Sequence, residues 1–325
     1  MSKAIKIGLL VVLAILLVVL PWLVNPYTVQ VLIMTITYSM LGLAFAFSLK
    51  VGLPRFDIAA WWGVGGYATA LLMLKAHMNF WPTVLIGGII AMLVGFLIFI
   101  IAVPRGMMVF LMFGMVVAMA IQQIFGSVKF FGGWSGTGLV PRPTIFSHTI
   151  AGKPELYYLG LFFLVVNLLV FYYLYNSKIG RAWNAIGSSL KLAGSVGIDV
   201  VKYRMANVLI GNFFLAVAGS YYIAYSLSAV PTSFSFSASI FVMMYIVVGG
   251  IAQSLSGPLL GALIITFIPE YLRVAKEYEP IITAVITILI IIFVPMSILG
   301  WLDRRVKPWF ARLGKGGEKE QGAPA

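Results

Sequence analysis

The chain has 325 residues, 62% of them hydrophobic and 10% charged, with a mean hydropathy of +1.04; one soluble core cannot hide that much apolar surface, so the bilayer must be the solvent. The absence of cysteine, with His77 and His148 the only histidines, argues against disulfides, thiolate metal centres and redox chemistry. The formal net charge of +13 comes without the basic soluble module that nucleic-acid recognition requires.

Each membrane helix needs about 20 mostly apolar residues. Ten segments qualify: 7–24, 29–49, 57–74, 82–103, 107–125, 157–175, 206–228, 238–252, 258–272 and 281–301. The first could be read as a signal peptide, but it runs into Pro21, Trp22 and Asn25 without a small-x-small cleavage site, which favours a retained span. The eighth and ninth are short and Gly-rich around QSLSGP, and read either as full spans or as a broken, re-entrant pair. The expected fold is therefore all-α: a polytopic membrane helix bundle over 1–302, with a polar, Gly-rich tail at 303–325.

Lys and Arg resist translocation, so their distribution orients the bundle. With the N-terminus inside, only Lys75, Lys129, Arg142, Lys153, Arg273 and Lys276 of the 22 cations fall outside. Both termini are then cytoplasmic, as is the basic loop 176–205. The largest external segment is 126–156, whose glycines and prolines make an irregular loop.

Within the basic loop, Trp183, Ile186, Leu190 and Ala193 recur at steps of three, four and three, lining one face of a short helix that ends near Gly197. Arg181, Asn184, Ser188, Lys191 and Ser195 fall on the other face. Such a helix either lies on anionic lipid or docks a cytoplasmic motor. Spacing alone favours lipid, since basic loops are what the orientation rule requires anyway.

The stretch GRAWNAIGSSLKLAGSVGIDVVKYR (180–204), followed by ANVLIGNFFLAVAGSYYIAY, resembles the main cytoplasmic loop and next helix of the permease subunits of ABC importers for branched-chain and other hydrophobic amino acids. The match is carried by Gly180, Arg181, Ala182, Ala185, Ile186, Ala193, Gly197, Ile198, Tyr203 and Arg204, while GSSLK stands where the family carries acids. GVGGYATALL (63–72), FFGGWSGTGLVPRP (130–143) and VVGGIAQSLSGPLLGALIITFIPEYLR (247–273) are similar to three further family segments in the same order. Ahead of the first, RFDIAAWW departs from the family pattern: Arg55, Asp57 and Ile58 occupy its Ser, Gly and His positions.

The resemblance implies a bacterial or archaeal cytoplasmic-membrane permease that works by alternating access. Implied partners are a second homologous permease subunit, two cytoplasmic ATPase subunits, a periplasmic solute-binding protein and membrane lipid. No Gly-x4-Gly-Lys-Ser/Thr loop is present, so ATP is expected on the partner subunits and no cofactor, metal or catalytic residue in this chain. The implied coupling helix comprises Arg181, Trp183, Ile186, Leu190, Lys191, Ala193 and Gly197, with docking expected to rest on Trp183, Ile186, Leu190 and Ala193 more than on ion pairs. Gly132, Gly133 and Gly136 are candidates for the binding-protein docking loop; an ordinary flexible loop is the competing account.

Candidates for the solute path are Asp57, Trp61, Gly65, Gly66, Tyr67, Gly249, Gly250, Gln253 and Gly257. Close helix packing accounts for Gly63, Gly65 and Gly66 at least as well, and Trp61 and Trp62 read more readily as interfacial belt residues. Asp57 must face a cavity, pair with Arg55 or sit at the interface, the last being favoured; Glu270 and Arg273 suit a surface ion pair. A self-contained secondary transporter would need ionisable groups at mid-membrane, and an embedded enzyme a clustered acid, base or nucleophile; the sequence offers neither. Solutes accepted by the family extend to urea and to aromatic or organic acids.

Overall fold

The computed structural model describes residues 16–145, 148–250 and 256–272. Backbone in hydrocarbon has to satisfy its hydrogen bonds internally, and the apolar runs are accordingly helical. Helical residues 16–23 lead into α1 (Pro26–Leu49), α2 (Ile58–Lys75), α3 (Phe80–Ala102), α4 (Met107–Ser127) and α5 (Lys153–Asn176). Two short helices follow, α6 (Lys178–Ser188) and α7 (Leu190–Ser195), then α8 (Val200–Ser226), α9 (Phe236–Gly249) and α10 (Ser256–Leu272). The expected segment 281–301 and the tail 303–325 lie outside the described residues.

Helix starts are legible in chemistry. Pro26 opens α1, where its missing N–H costs nothing. Glu155 reaches back to accept from the Ala151 and Gly152 N–H groups at 2.8 and 3.0 Å. Asp199 Oδ1 accepts from the Lys202 N–H at 3.0 Å, so α8 begins six residues before the apolar run suggests. The first β structure, an antiparallel contact of Thr144–Ile145 with His148–Thr149, sits in the 128–152 loop.

Helices α2 and α8 form the centre and pack through small residues. A β-carbon at Gly65 would collide with the Ala216 backbone, and one at Gly219 would lie 2.7 Å from the Gly66 nitrogen; only hydrogen lets the two backbones approach this closely. The Thr69 hydroxyl donates to Ser220 Oγ across the same seam at 2.7 Å. Around this centre, α3, α4 and α5 turn apolar side chains such as Leu97, Met112 and Leu169 outward, as membrane-facing helices must.

Among the described residues, five helices are long and apolar enough to cross a bilayer by length and composition: α1, α3 with its 3₁₀ extension to Arg105, α4, α5 and α8. At 14 residues α9 reaches only about 21 Å, short of the roughly 30 Å hydrocarbon, which suits the broken-pair reading of 238–252 over the full span. Its N-terminus lies beside that of α2: the Phe236 and Phe56 rings are 6.0 Å apart and the Ala59 N–H donates to Ser239 Oγ at 2.9 Å. From there α9 crosses to α1, where Tyr245 meets Tyr38 at 5.2 Å.

Candidate functional site

Two regions gather the residues that the sequence singles out. The first is the basic end of the bundle, where α6 lies against loop 50–57 through Gly187 and α7 packs on α6 and α8. Ser177 Oγ caps α6 by accepting from the Gly180 N–H at 3.2 Å. The expected single helix is broken at Ser189, whose extended backbone (φ −161°, ψ 117°) lets its hydroxyl cap α7 through the Leu192 N–H at 3.4 Å. The chain leaves α7 through Gly197 at φ +82°, with Gly197 N–H donating to Gly194 O and Ile198 N–H to Ala193 O, both at 3.1 Å. That is a Schellman stop, which favours glycine at this position.

The face lined by Trp183, Ile186 and Ala193 points into the bundle, a correction to the expected docking face. Trp183 is fully buried, its ring edge-on to Phe47 at 4.9 Å and its indole N–H donating to the Tyr203 carbonyl at 2.8 Å. Phe47 in turn stacks on Phe171 at 4.4 Å. Arg181 and Lys191 are exposed, and the apolar groups turned outward are Leu190 at 43%, Leu192 at 69% and Val196 at 74% exposure. The 3.6-residue period located the stripe correctly; it carries no information on whether the stripe faces its own bundle or a partner.

Loop 50–57 is clamped from two sides. Gly187 lies on the Lys50 carbonyl, leaving no room for a side chain. From α8, Arg204 Nε donates to the Val51 carbonyl at 3.1 Å and Asn207 Nδ2 to the Phe47 carbonyl at 3.1 Å. Burial pushes the Lys50 ammonium pKa down, since removal from water disfavours the charged form.

The second region begins where that loop enters α2. Arg55 and Asp57 form an ion pair at 0% exposure, with Arg55 Nε donating to Asp57 Oδ1 at 2.9 Å and Nη2 to Oδ2. Arg55 also donates to the Val208 carbonyl at 3.2 Å and to Asn212 Oδ1, and the Trp61 indole N–H donates to Asp57 Oδ2. The favoured interfacial position of Asp57 is thereby corrected: pairing with Arg55 wins, because three neighbouring polar groups compensate the desolvation of both charges. Trp61 and Trp62 are likewise buried rather than belt residues, at 0% and 3% exposure. Asn212 and Val208 were missed, and Arg204 was singled out only as a cation of the basic loop that matches the family; the available signal was a pair of asparagines, Asn207 and Asn212, inside an otherwise apolar run.

Among the described residues, the remaining solute-path candidates fall on separate seams. Gly65 serves the α2–α8 seam, as the packing alternative had it. Gly66 and Tyr67 meet Phe234, whose Cζ would stand 3.0 Å from a β-carbon at Gly66 and whose ring centre is 5.8 Å from that of Tyr67. Gly249 and Gly257 make a separate seam, where a β-carbon at 249 would lie 2.8 Å from the Gly257 carbonyl carbon. Gly250 ends α9 at φ +120°. Gln253 and the side chains of Glu270 and Arg273 lie outside the described residues.

The Gly-rich loop is held to the bundle rather than loose. Gly132, Gly133 and Gly136 have φ of +91°, +64° and +79°. Thr137 N–H donates to the Ala229 carbonyl, and Ala229 N–H to Thr137 Oγ1, both at 2.9 Å. Val140 N–H donates to the Leu227 carbonyl at 2.7 Å.

Comparison with known proteins places this geometry. A family described as the permease component of branched-chain amino acid transport systems matches residues 27–295. The high-affinity branched-chain amino acid transport system permease protein LivM of Escherichia coli is 27% identical over 320 residues, covering 89% of this chain and 74% of LivM. LivM of Salmonella typhimurium is 25% identical over 309 residues, 86% of this chain and 71% of its own length. The permease protein LivH of Escherichia coli is 28% identical over 170 residues, 51% of this chain and 54% of LivH. No solved structure gives a significant match. The chain is thus a multi-pass membrane protein of the branched-chain amino acid transport system permease family.

Proposed function

We propose that this chain is the permease subunit of an ATP-driven importer that carries branched-chain or other hydrophobic amino acids into the cytoplasm. It works with a second homologous permease, two ATPase subunits that bind the ATP, and a periplasmic solute-binding protein. The chain itself holds no nucleotide or metal and performs no covalent chemistry. The observation that carries this reading is the seat of α6 on loop 50–57, with α7 packed beside it. A push on an exposed two-helix element passes through Gly187 to the Lys50 carbonyl and on to Arg55 at the root of α2. Alternating access requires such a route, because ATPase closure must move helices it does not touch.

The Arg55–Asp57 pair favours one second reading within the same family, a small polar or charged solute in place of an aliphatic amino acid. It stands where the family resemblance has serine and glycine. One reconstitution decides both. Proteoliposomes holding the complete transporter are assayed for uptake of radiolabelled leucine, urea and benzoate with the cognate binding protein and internal ATP. Leucine uptake that depends on ATP supports the proposal, and uptake by this polypeptide alone without ATPase subunits refutes it.

A further inference from the structure

Between α8 and α9 the chain turns back into the bundle. Leu227, at φ +56°, ends α8, and Pro231–Phe234 forms a single 3₁₀ turn whose last residue is 1% exposed. Phe234 packs against Trp62 at 4.9 Å, Tyr67 at 5.8 Å and Tyr222 at 5.8 Å between ring centres. Its other wall is glycine: a β-carbon at Gly63 would lie 3.1 Å from Phe234 Cβ. Non-helical backbone at this depth is tolerated only where protein surrounds it or a cavity is lined by it.

The two aromatic neighbours on α2 carry an anomaly. The Trp62 indole N–H and the Tyr67 hydroxyl are buried, and neither has a hydrogen-bond partner among the described residues. Buried polar groups are nearly always paired, and each exception calls for an explanation. The indole can only donate and the phenol can donate, so the missing partner is an acceptor. A carboxylate is acceptor-only and can serve several donors.

We infer that Phe234 is a displaceable plug. Its ring fills the slot that the apolar side chain of the transported amino acid occupies, and Tyr67 and Trp62 are the donors that receive that solute's carboxylate once the plug is withdrawn. The inference rests on the amino-acid permease reading above. Smooth glycine at Gly63 and Gly66 lets the ring leave without interlocking, while the aromatic walls suit an aliphatic group of similar size. The plug is also tied to the opposite end of the bundle. The hydrogen bonds between Thr137 and Ala229 join the Gly-rich loop to the root of the turn, five residues before Phe234, so a binding protein that shifts this loop pulls on the plug.

Two measurements test the plug in the complete transporter. Tyr67→Phe deletes only the unpaired oxygen. Its melting temperature should equal or exceed that of the unmodified protein, while binding-protein-dependent leucine uptake falls roughly fivefold to tenfold, the worth of one hydrogen bond. Uptake unchanged, or uptake and melting temperature falling together, would overturn the assignment. The chain has no cysteine, so Phe234→Cys, assembled with cysteine-free partner subunits, gives a single reporter thiol. Labelling by a charged methanethiosulfonate should accelerate about tenfold or more during ATP turnover, as expected of a group exposed only in the open state; equal rates at rest and in turnover would overturn the plug. If the unmodified transporter moves no leucine, the solute reading fails, and the labelling comparison, which needs only ATP turnover, still decides the plug.

Discussion

Gly187 of α6 lies so close to the main chain of Lys50 that a β-carbon at 187 would stand 3.2 Å from the Lys50 carbonyl carbon. This contact joins the exposed two-helix element to the loop that roots α2. Replacing Gly187 by Val should wedge the two apart while leaving the bundle core intact. In proteoliposomes, uptake should fall about tenfold, within the range that coupling-element substitutions produce, with the complex still assembled and ATP still hydrolysed. Unchanged uptake would remove Gly187 from the route.

The buried ion pair sets a second expectation. Asp57→Leu leaves the Arg55 guanidinium buried without its counter-ion and should destabilise the protein by about 3–5 kcal/mol. The Arg55→Met, Asp57→Leu double variant should recover much of that loss. Full recovery is not expected, because Asn212 Oδ1, the Val208 carbonyl and the Trp61 N–H all lose their partners. Denaturant unfolding in detergent checks the order: double variant above either single.

Burial separates docking from packing on α6 and α7. Leu192→Asp or Val196→Asp alters an exposed apolar group and should weaken ATPase association about tenfold, in line with a well-placed interface residue, at an unchanged melting temperature. Trp183→Ala should instead lower stability by about 3–5 kcal/mol, as expected for emptying an aromatic site in a core. Co-purification of the ATPase subunits alongside thermal unfolding distinguishes the two outcomes.

Lys50 gives a pH signature. Burial lowers its pKa below the ordinary 10.5, so below the lowered value the folded state carries a charge that the surroundings disfavour. This penalty is fully present at neutral pH and is relieved as pH rises from the lowered value towards 10.5. Lys50→Met should therefore be the more stable protein at pH 7, and the gap in melting temperature should narrow as pH rises through the lowered value towards 10.5. A gap that widens with pH would show that the ammonium is favourably partnered, for example through the Tyr175 ring 5.3 Å from its Nζ.

Among the described residues the long apolar runs gave the helix bounds to within four residues, save for the start of α8, because hydropathy and length suffice when every backbone group must pair within its own helix. The cationic clusters likewise marked out one end of the bundle. What the sequence hid were facts about distance in the fold. Asp57 looked interfacial because its neighbours in sequence are Arg55 and Lys50, whereas its environment is completed by Asn212 and Val208, more than 150 residues away. Trp183, Ile186 and Ala193 declared a face but not its partner. The turn at 231–234 falls in the gap between the segments 206–228 and 238–252, and nothing in PTSF records that Gly63 and Gly66 leave space for it.

The Arg55–Asp57 pair also bears on how the protein is made. The groups that complete its shell reside on α8, 153 and 157 residues downstream of Arg55. At a synthesis rate of about 5–20 residues per second, they emerge roughly 10–30 seconds after the pair itself. Until then, drawing two charges into the bilayer is opposed by their desolvation, and α2 lacks the helix against which its glycine seam closes. The N-terminal helices are therefore held in a provisional arrangement during translation, and insertion of α8 is the event that seats α2. A truncated chain ending before residue 200 should leave the 50–57 loop open to protease, and extension through residue 226 should close it.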